Sequence, residues 1–275
     1  MSESDFRDFL PLLAPAVRRA AQIARWLEGR VPNQPKLGEA TAVKRALTAA
    51  DTAAQEALLV PLLEHFPQVH LLAEEDTPSV EHFAEKGEAT VVIDPIDGTL
   101  HSYLEGGGPY AVMIGLALGG QYQAGLVALP REELLLQAWR GAGASMARAD
   151  HPPQEVRPEA DGDLVLVSHG TPRSVIDSLT RRGLRVVSSC GGAVSVAPLI
   201  PGVRAGLRHA EGEFGVSIRG RIGALIAAEA GALVRGASGA TFPLDLDTPA
   251  STLLVAAQPE DLSLLDEALA AGNLA

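Results

Sequence analysis

Cysteine is almost missing: Cys190 is the single one in 275 residues, which excludes an intramolecular disulfide and a cysteine-based zinc site. Its neighbours Ser189 and Gly191 offer no histidine partner for a thiol nucleophile, so it reads as a small buried side chain. Aromatic residues are scarce at 4%, and the core must therefore be aliphatic and closely packed. No apolar run approaches the ~18 residues that span a bilayer, which argues against a membrane partner. The first residues carry Glu3, Asp5, Arg7 and Asp8 before any apolar stretch. They lack the basic start of a secretion signal, so the expected compartment is the cytoplasm. Basic runs are absent too: 22 Lys and Arg stand against 34 Asp and Glu, a net charge of −12. Such a chain repels a nucleic-acid backbone. If its ligand is nonetheless a phosphate, bound divalent cations are the usual local remedy for the repulsion.

What is present is a long, apolar-rich chain, 47% hydrophobic, enough for a large core. From Asp5 to Arg30 the apolar positions Phe6, Phe9, Leu13, Val17, Ala20, Ala24 and Leu27 recur at helical spacing and predict one amphipathic helix. A second helix is expected from about Asp51. After Pro67 short apolar runs follow one another, with Gly119-Gly120 as a hairpin signal, and predict an antiparallel meander. Residues 148–163, rich in Pro, Gly and Asp, read as an exposed connector. The expected organisation is an N-terminal α+β lobe at 1–150 and a C-terminal α/β lobe at 151–275, joined in one compact unit.

Two segments carry chemistry. In Val91-Val92-Ile93-Asp94-Pro95-Ile96-Asp97-Gly98-Thr99 a buried-looking strand runs into two carboxylates three residues apart. Pro95 predicts a turn there, and Gly98 lets the backbone approach a ligand. If a helix begins at this point, the amides of Gly98 and Thr99 face an anion. Upstream, Ala73-Glu74-Glu75-Asp76 sets three acids at the end of another apolar run. Either segment alone also reads as an ordinary turn or a solvated loop. Together Glu74, Asp94, Asp97 and a main-chain carbonyl make the oxygen-rich, incomplete shell that magnesium prefers.

With Thr48-Ala49-Ala50-Asp51 upstream, Glu74-Glu75, and Asp94 to Thr99, the chain resembles the inositol monophosphatase family. The similarity continues through Gly125-Leu126-Val127, Ala138 to Gly143 and Glu229-Ala230-Gly231. The resemblance implies a layered αβαβα sandwich with the site between the lobes, and a family that often forms homodimers. It implies that Glu74, Asp94 and the Ile96 carbonyl hold a first Mg²⁺, that Asp94 and Asp97 share a second, and that Glu74 faces a third. Thr99, with Glu74, would orient the attacking water, Asp51 would support it from behind, and the phosphate would rest on the Gly98 and Thr99 amides. The implied activity is hydrolysis of a small phosphorylated metabolite, a sugar, polyol or nucleotide monoester, by in-line attack of water.

The match breaks where the family carries a Trp-Asp pair ahead of Glu-Ala-Gly. Counting back from Glu229 puts Ile218-Arg219 there, and an arginine cannot ligate magnesium. Either a nearby acid such as Glu213 takes that role, or Arg219 replaces the second metal and binds a phosphoryl oxygen; the ungapped helix pattern favours Arg219. Glu213 is also a candidate for substrate hydroxyls. A second reading follows from Arg219: a phosphorylated-ligand binding protein on the same fold, impaired in turnover. His101, His169 and His209 have no metal-triad spacing and read as structural.

Overall fold

The computed structural model describes residues 3–274. The N-terminal helix is shorter than its periodicity predicts: a 3-10 turn at Glu3–Phe6 precedes α1 (Phe9–Leu27). Phe9, Leu13, Val17, Ala20 and Ala24 are buried along its inner face, as the spacing requires. A short helix α2 (Ala42–Arg45) leads to α3 (Ala49–His65), which starts at a capping box. Thr48 caps it, and Asp51 in return accepts a hydrogen bond from the Thr48 amide.

Seven strands follow in one sheet in chain order: β1 (His70–Leu72), β2 (Ala89–Asp97), β3 (Ala111–Leu118), β4 (Gln121–Leu129), β5 (Leu134–Trp139), β6 (Ala144–Arg148) and β7 (Gln154–Glu155). Only β1 and β2 pair in parallel; the rest form the expected meander, with Gly119-Gly120 turning β3 into β4. The stretch read as a connector contains β7, so the first sheet runs to Glu155.

The second sheet has the order β11-β12-β10-β8-β9. Its strands are β8 (Leu164–Ser168), β9 (Arg185–Ser189), β10 (Val203–His209), β11 (Leu233–Arg235) and β12 (Thr252–Ala256). Helices α4 (Arg173–Arg181), α5 (Gly191–Ser195), α6 (Gly220–Glu229) and α7 (Pro259–Ala271) complete the chain.

Five layers result, as the resemblance implies. Helices α1 and α3 cover the outer face of the first sheet, α5 and α6 fill the space between the sheets, and α4 and α7 cover the second sheet. Ile222 on α6 packs directly against Gly115 and Gly125, whose missing side chains let the helix approach the first sheet. Among the described residues no helix is long and apolar enough to cross a membrane.

Candidate active site

The site forms where β1 and β2 end, and their parallel register dictates which acids meet. Leu72 lies opposite Val92, so the residues just past β1 run beside the end of β2, and Glu74 comes within the field of Asp94. Strand β2 does not turn at Pro95, as its sequence predicts, but continues to Asp97 through a bulge. Asp94 pairs with Met113 and Asp97 with Ala111, so three steps on β2 answer two on β3. Pro95 has no N–H to give the ladder, and a bulge is where a strand tolerates that loss. In a regular strand residues three apart point to opposite faces. The extra residue breaks that alternation and brings Asp94 and Asp97 within each other's field.

Asp94 is buried, and its Oδ1 has no hydrogen-bond partner. Burial first, then the charges of Glu74 and Asp97, hold its carboxyl well above the usual carboxylate range, with Arg219 pulling the other way. Glu74 lies within hydrogen-bonding reach of Asp94. An orphaned carboxylate oxygen beside a second acid and a strand-end carbonyl is a donor set of hard oxygens, which fits a divalent cation such as magnesium. Among the described residues no three His, Cys, Asp or Glu side chains converge as a ready cage, so the fit rests on the Asp94 end of the cluster. Asp97 acts on Asp94 through its charge, while its Oδ2 accepts the amide proton of Gly192.

Glu75, next in sequence, belongs to a support. Its carboxylate is 2.6 Å from Lys36 Nζ, and Gln55 on α3 clasps its main chain through both amide atoms. These contacts fix the turn that carries Glu74.

Thr99 and Asp51 meet across the fold. Thr99 Oγ1 is 2.9 Å from Asp51 Oδ1 and 2.8 Å from the Ile96 carbonyl. The hydroxyl has one proton, so it serves one acceptor at a time. Asp51 Oδ2 meanwhile accepts from the Thr48 amide and hydroxyl, both at 2.7 Å. Burial raises the Asp51 carboxyl despite these hydrogen bonds. Gly98 precedes a single helical turn at Thr99–Leu104 and has φ +89°. A Cβ there would lie 2.7 Å from that of Cys190, so only glycine fits.

Arg219 stands just before α6 and reaches under the acids. Its Nε donates to the Ile93 carbonyl at 3.2 Å and its Nη2 to the Ala73 carbonyl at 3.4 Å. Those carbonyls immediately precede Asp94 and Glu74, so one guanidinium ties both strand ends and supplies the counter-charge. It is not on the wall of the neighbouring cavity, where a phosphoryl contact was expected.

That cavity, about 480 Å³, opens beside Asp97 and Gly98. Glu213, the other expected substrate contact, is exposed and does not line it; Glu211 does. His101, His169 and His209, read from sequence as structural, all line it. Each is anchored: His101 to Glu105 at 2.7 Å, His169 to Ser102 at 3.0 Å, and His209 to Thr252 at 3.0 Å. Arg208, absent from the sequence reading, lies on the same wall. The signal for it was a charge at period two from Gly206, between the buried Ala205 and Leu207, in a strand covered on both faces.

The sequence profile of the inositol monophosphatase family matches residues 9–202. Over 100 residues the chain is 39% identical to a histidinol-phosphatase of Chlorobaculum parvum, covering 36% of this chain and 37% of that protein. Over 116 residues it is 31% identical to a fructose-1,6-bisphosphatase/inositol-1-monophosphatase of Thermotoga maritima, covering 42% and 41%. The chain thus spans about two fifths of the length of these curated relatives. In fold it is similar to a solved IMPase of Thermotoga maritima, with a TM-score of 0.73 at 18% identity over 96% of this chain and 98% of that one.

Proposed function

The chain belongs to the inositol monophosphatase family, and from that premise we propose that it is a magnesium-dependent phosphomonoesterase acting on a small phosphorylated sugar, polyol or nucleotide. The observation that carries this reading is the pairing of Glu74 with a buried, partner-less Asp94 oxygen, together with the Thr99–Asp51 contact; Asp97 and Gly98, a few residues on, line the neighbouring cavity.

Glu74, Asp94 and the Ile96 carbonyl would hold the cation. When bound, magnesium neutralises phosphoryl charge and makes a water acidic enough to attack phosphorus. The rest is done by the chain. With its proton given to Asp51, Thr99 Oγ1 keeps its lone pairs for the attacking water and frees the Ile96 carbonyl. Asp51 cannot drift, because the start of α3 holds its other oxygen. Glu74, only half-buried, can take the proton that the water sheds. Arg219 keeps the carboxylates from repelling one another and takes the place of a cation beneath them. The Gly98 and Thr99 amides, freed by the left-handed Gly98, complete the phosphate seat.

The test is phosphate release from a panel of inositol 1-phosphate, histidinol phosphate, fructose 1,6-bisphosphate and 3′-phosphoadenosine 5′-phosphate, with and without Mg²⁺. Release should require the metal, and Asp94→Asn should lower kcat/KM by at least roughly two orders of magnitude, the scale lost with one preorganised charge-stabilising group. Because burial and the neighbouring acids disfavour a charge at Asp94, Asp94→Asn should not lower the melting temperature. No release from any ester by folded protein would leave ligand binding without turnover as the function.

A further inference from the structure

Arg208 is the unengaged cation of the cavity. Among the described residues the other half-buried or buried arginines are tied down: Arg18 to the Ala149 carbonyl, Arg131 to Glu28, Arg140 to the Tyr122 carbonyl, Arg204 to Asp261, Arg219 to strand-end carbonyls, Arg221 to the Asp245 and Thr248 carbonyls, and Arg235 to Asp266. Arg208, half-buried on β10, has no hydrogen bond and no ion pair to any described residue. Its tip packs between two glycines. A Cβ on Gly191 would fall 1.7 Å from its Nη1, and one on Gly220 would fall 2.6 Å from the same atom. The guanidinium therefore lies in a slot that exists because both positions are glycine.

The slot adjoins the reacting end of the site. Gly191 lines the cavity with Arg208, and the next residue, Gly192, gives its amide proton to Asp97. Asp97 and Gly98 line the same cavity. An arginine stays charged at any working pH and offers a planar fork of donors. Here the arginine lines a pocket of metabolite size, and its donors have no acceptor among the described residues. The nearest acids on the wall are Asp97, bonded to Gly192, and the exposed Glu211.

We infer that Arg208 binds a second anionic group of the substrate, a phosphate or a carboxylate, while the esterified phosphate lies at Gly98. This deepens the phosphomonoesterase reading and rests on it: the substrate class narrows from any small monoester to one that is doubly anionic. A neutral polyol phosphate would leave the guanidinium unpaired in the pocket and forfeit its charge-assisted hydrogen bonds.

Two substrate pairs test it. Fructose 1,6-bisphosphate against fructose 6-phosphate reports a second phosphate; 3-phosphoglycerate against glycerol 3-phosphate reports a carboxylate. In the wild type the doubly anionic member of at least one pair should have the higher kcat/KM. Arg208→Gln should reduce that ratio by roughly ten- to hundred-fold, the range of a charged hydrogen bond, with Arg208→Lys falling between. Gly191→Ala should act the same way without removing the arginine, because the new methyl evicts only the end of a flexible side chain. Its agreement with Arg208→Gln separates a binding role from loss of fold. The same compounds are then used in thermal-shift binding with Asp94→Asn, alone and combined with Arg208→Gln, where turnover is not needed. If nothing is hydrolysed but the doubly anionic compounds still bind better and lose that advantage with Arg208→Gln, the phosphatase reading fails and the anion site stands. A ratio unchanged by both Arg208→Gln and Gly191→Ala overturns the inference.

Discussion

One side of the cleft takes its groups from residues 51–99, on a capped helix and two parallel strand ends; the other takes Arg208, His169 and Gly191 from the ends of β8, β9 and β10. The first side is acidic, buried and crowded, and its carboxylates need a counter-charge. The second is open and cationic, with one guanidinium awaiting an acceptor. The family profile ends at residue 202, so it covers the whole acidic side but neither Arg208 nor Arg219. Family membership therefore speaks to the chemistry at the first side, whereas substrate choice has to be read from the second.

The largest expected break in this contrast comes from Arg219, which belongs by sequence to the second half but works under the first side. Arg219→Met leaves Glu74, Asp94 and Asp97 without their fixed cation and strips two strand-end carbonyls of donors. Opening a partly buried charge pair of this kind costs about 3 kcal/mol. Chemical denaturation without metal should show that loss, and added Mg²⁺ should recover more stability in Arg219→Met than in the wild type, since the ion supplies the missing charge. Equal stability of the two proteins in metal-free buffer would remove Arg219 from the role assigned to it.

A smaller effect is expected where the two sides touch. Gly98 and Cys190 come from opposite halves, and a methyl at Gly98 meets both a left-handed backbone and the Cys190 Cβ. Gly98→Ala should cost about 2 kcal/mol, roughly half from the positive φ and the rest from overlap. In a double-mutant cycle, Cys190→Gly should relieve only the overlap, giving a coupling of about 1 kcal/mol. Strictly additive losses would mean that the sides are not in contact there.

Legibility follows the same division. Glu74, Asp94, Asp97 and Thr99 could be proposed from sequence because strand ends put chemically telling residues next to one another, and the Thr48–Asp51 spacing is a local capping pattern. The helices and the meander followed from periodicity, and the layering from the resemblance. The bulge at Pro95 was missed because Asp-Pro-Ile-Asp-Gly suits a turn equally well, and the choice was made by pairing with β3. Arg208 and the three histidines were passed over for a different reason. Each is a single polar residue at a strand end or turn, and only the stacking of β8, β9 and β10 gathers them. Glu213 was chosen for its acidity in a Gly-flanked loop, but the loop's path puts Glu211 on the cavity instead.

The finest test concerns His169, on the cationic side. Burial first, and then the neighbouring His101, lower its pKa below the usual 6.5, with Asp97 and Glu105 opposing. The folded state thus binds this proton less readily than the unfolded chain does. As pH falls through 6.5 toward the lower folded value, the unfolded chain takes up the proton first, and folding loses stability by linkage. His169→Gln has no such proton and can still offer a donor to Ser102. Melting curves from pH 8 to pH 5 should therefore show the wild type losing ground to His169→Gln at the acid end, with the gap opening near and below 6.5. A saturating doubly anionic ligand should narrow the gap, because negative charge in the cavity favours the protonated ring. Parallel melting profiles across the whole range would show that His169 titrates in the fold as it does in the unfolded chain, so that neither burial nor His101 disfavours its charge.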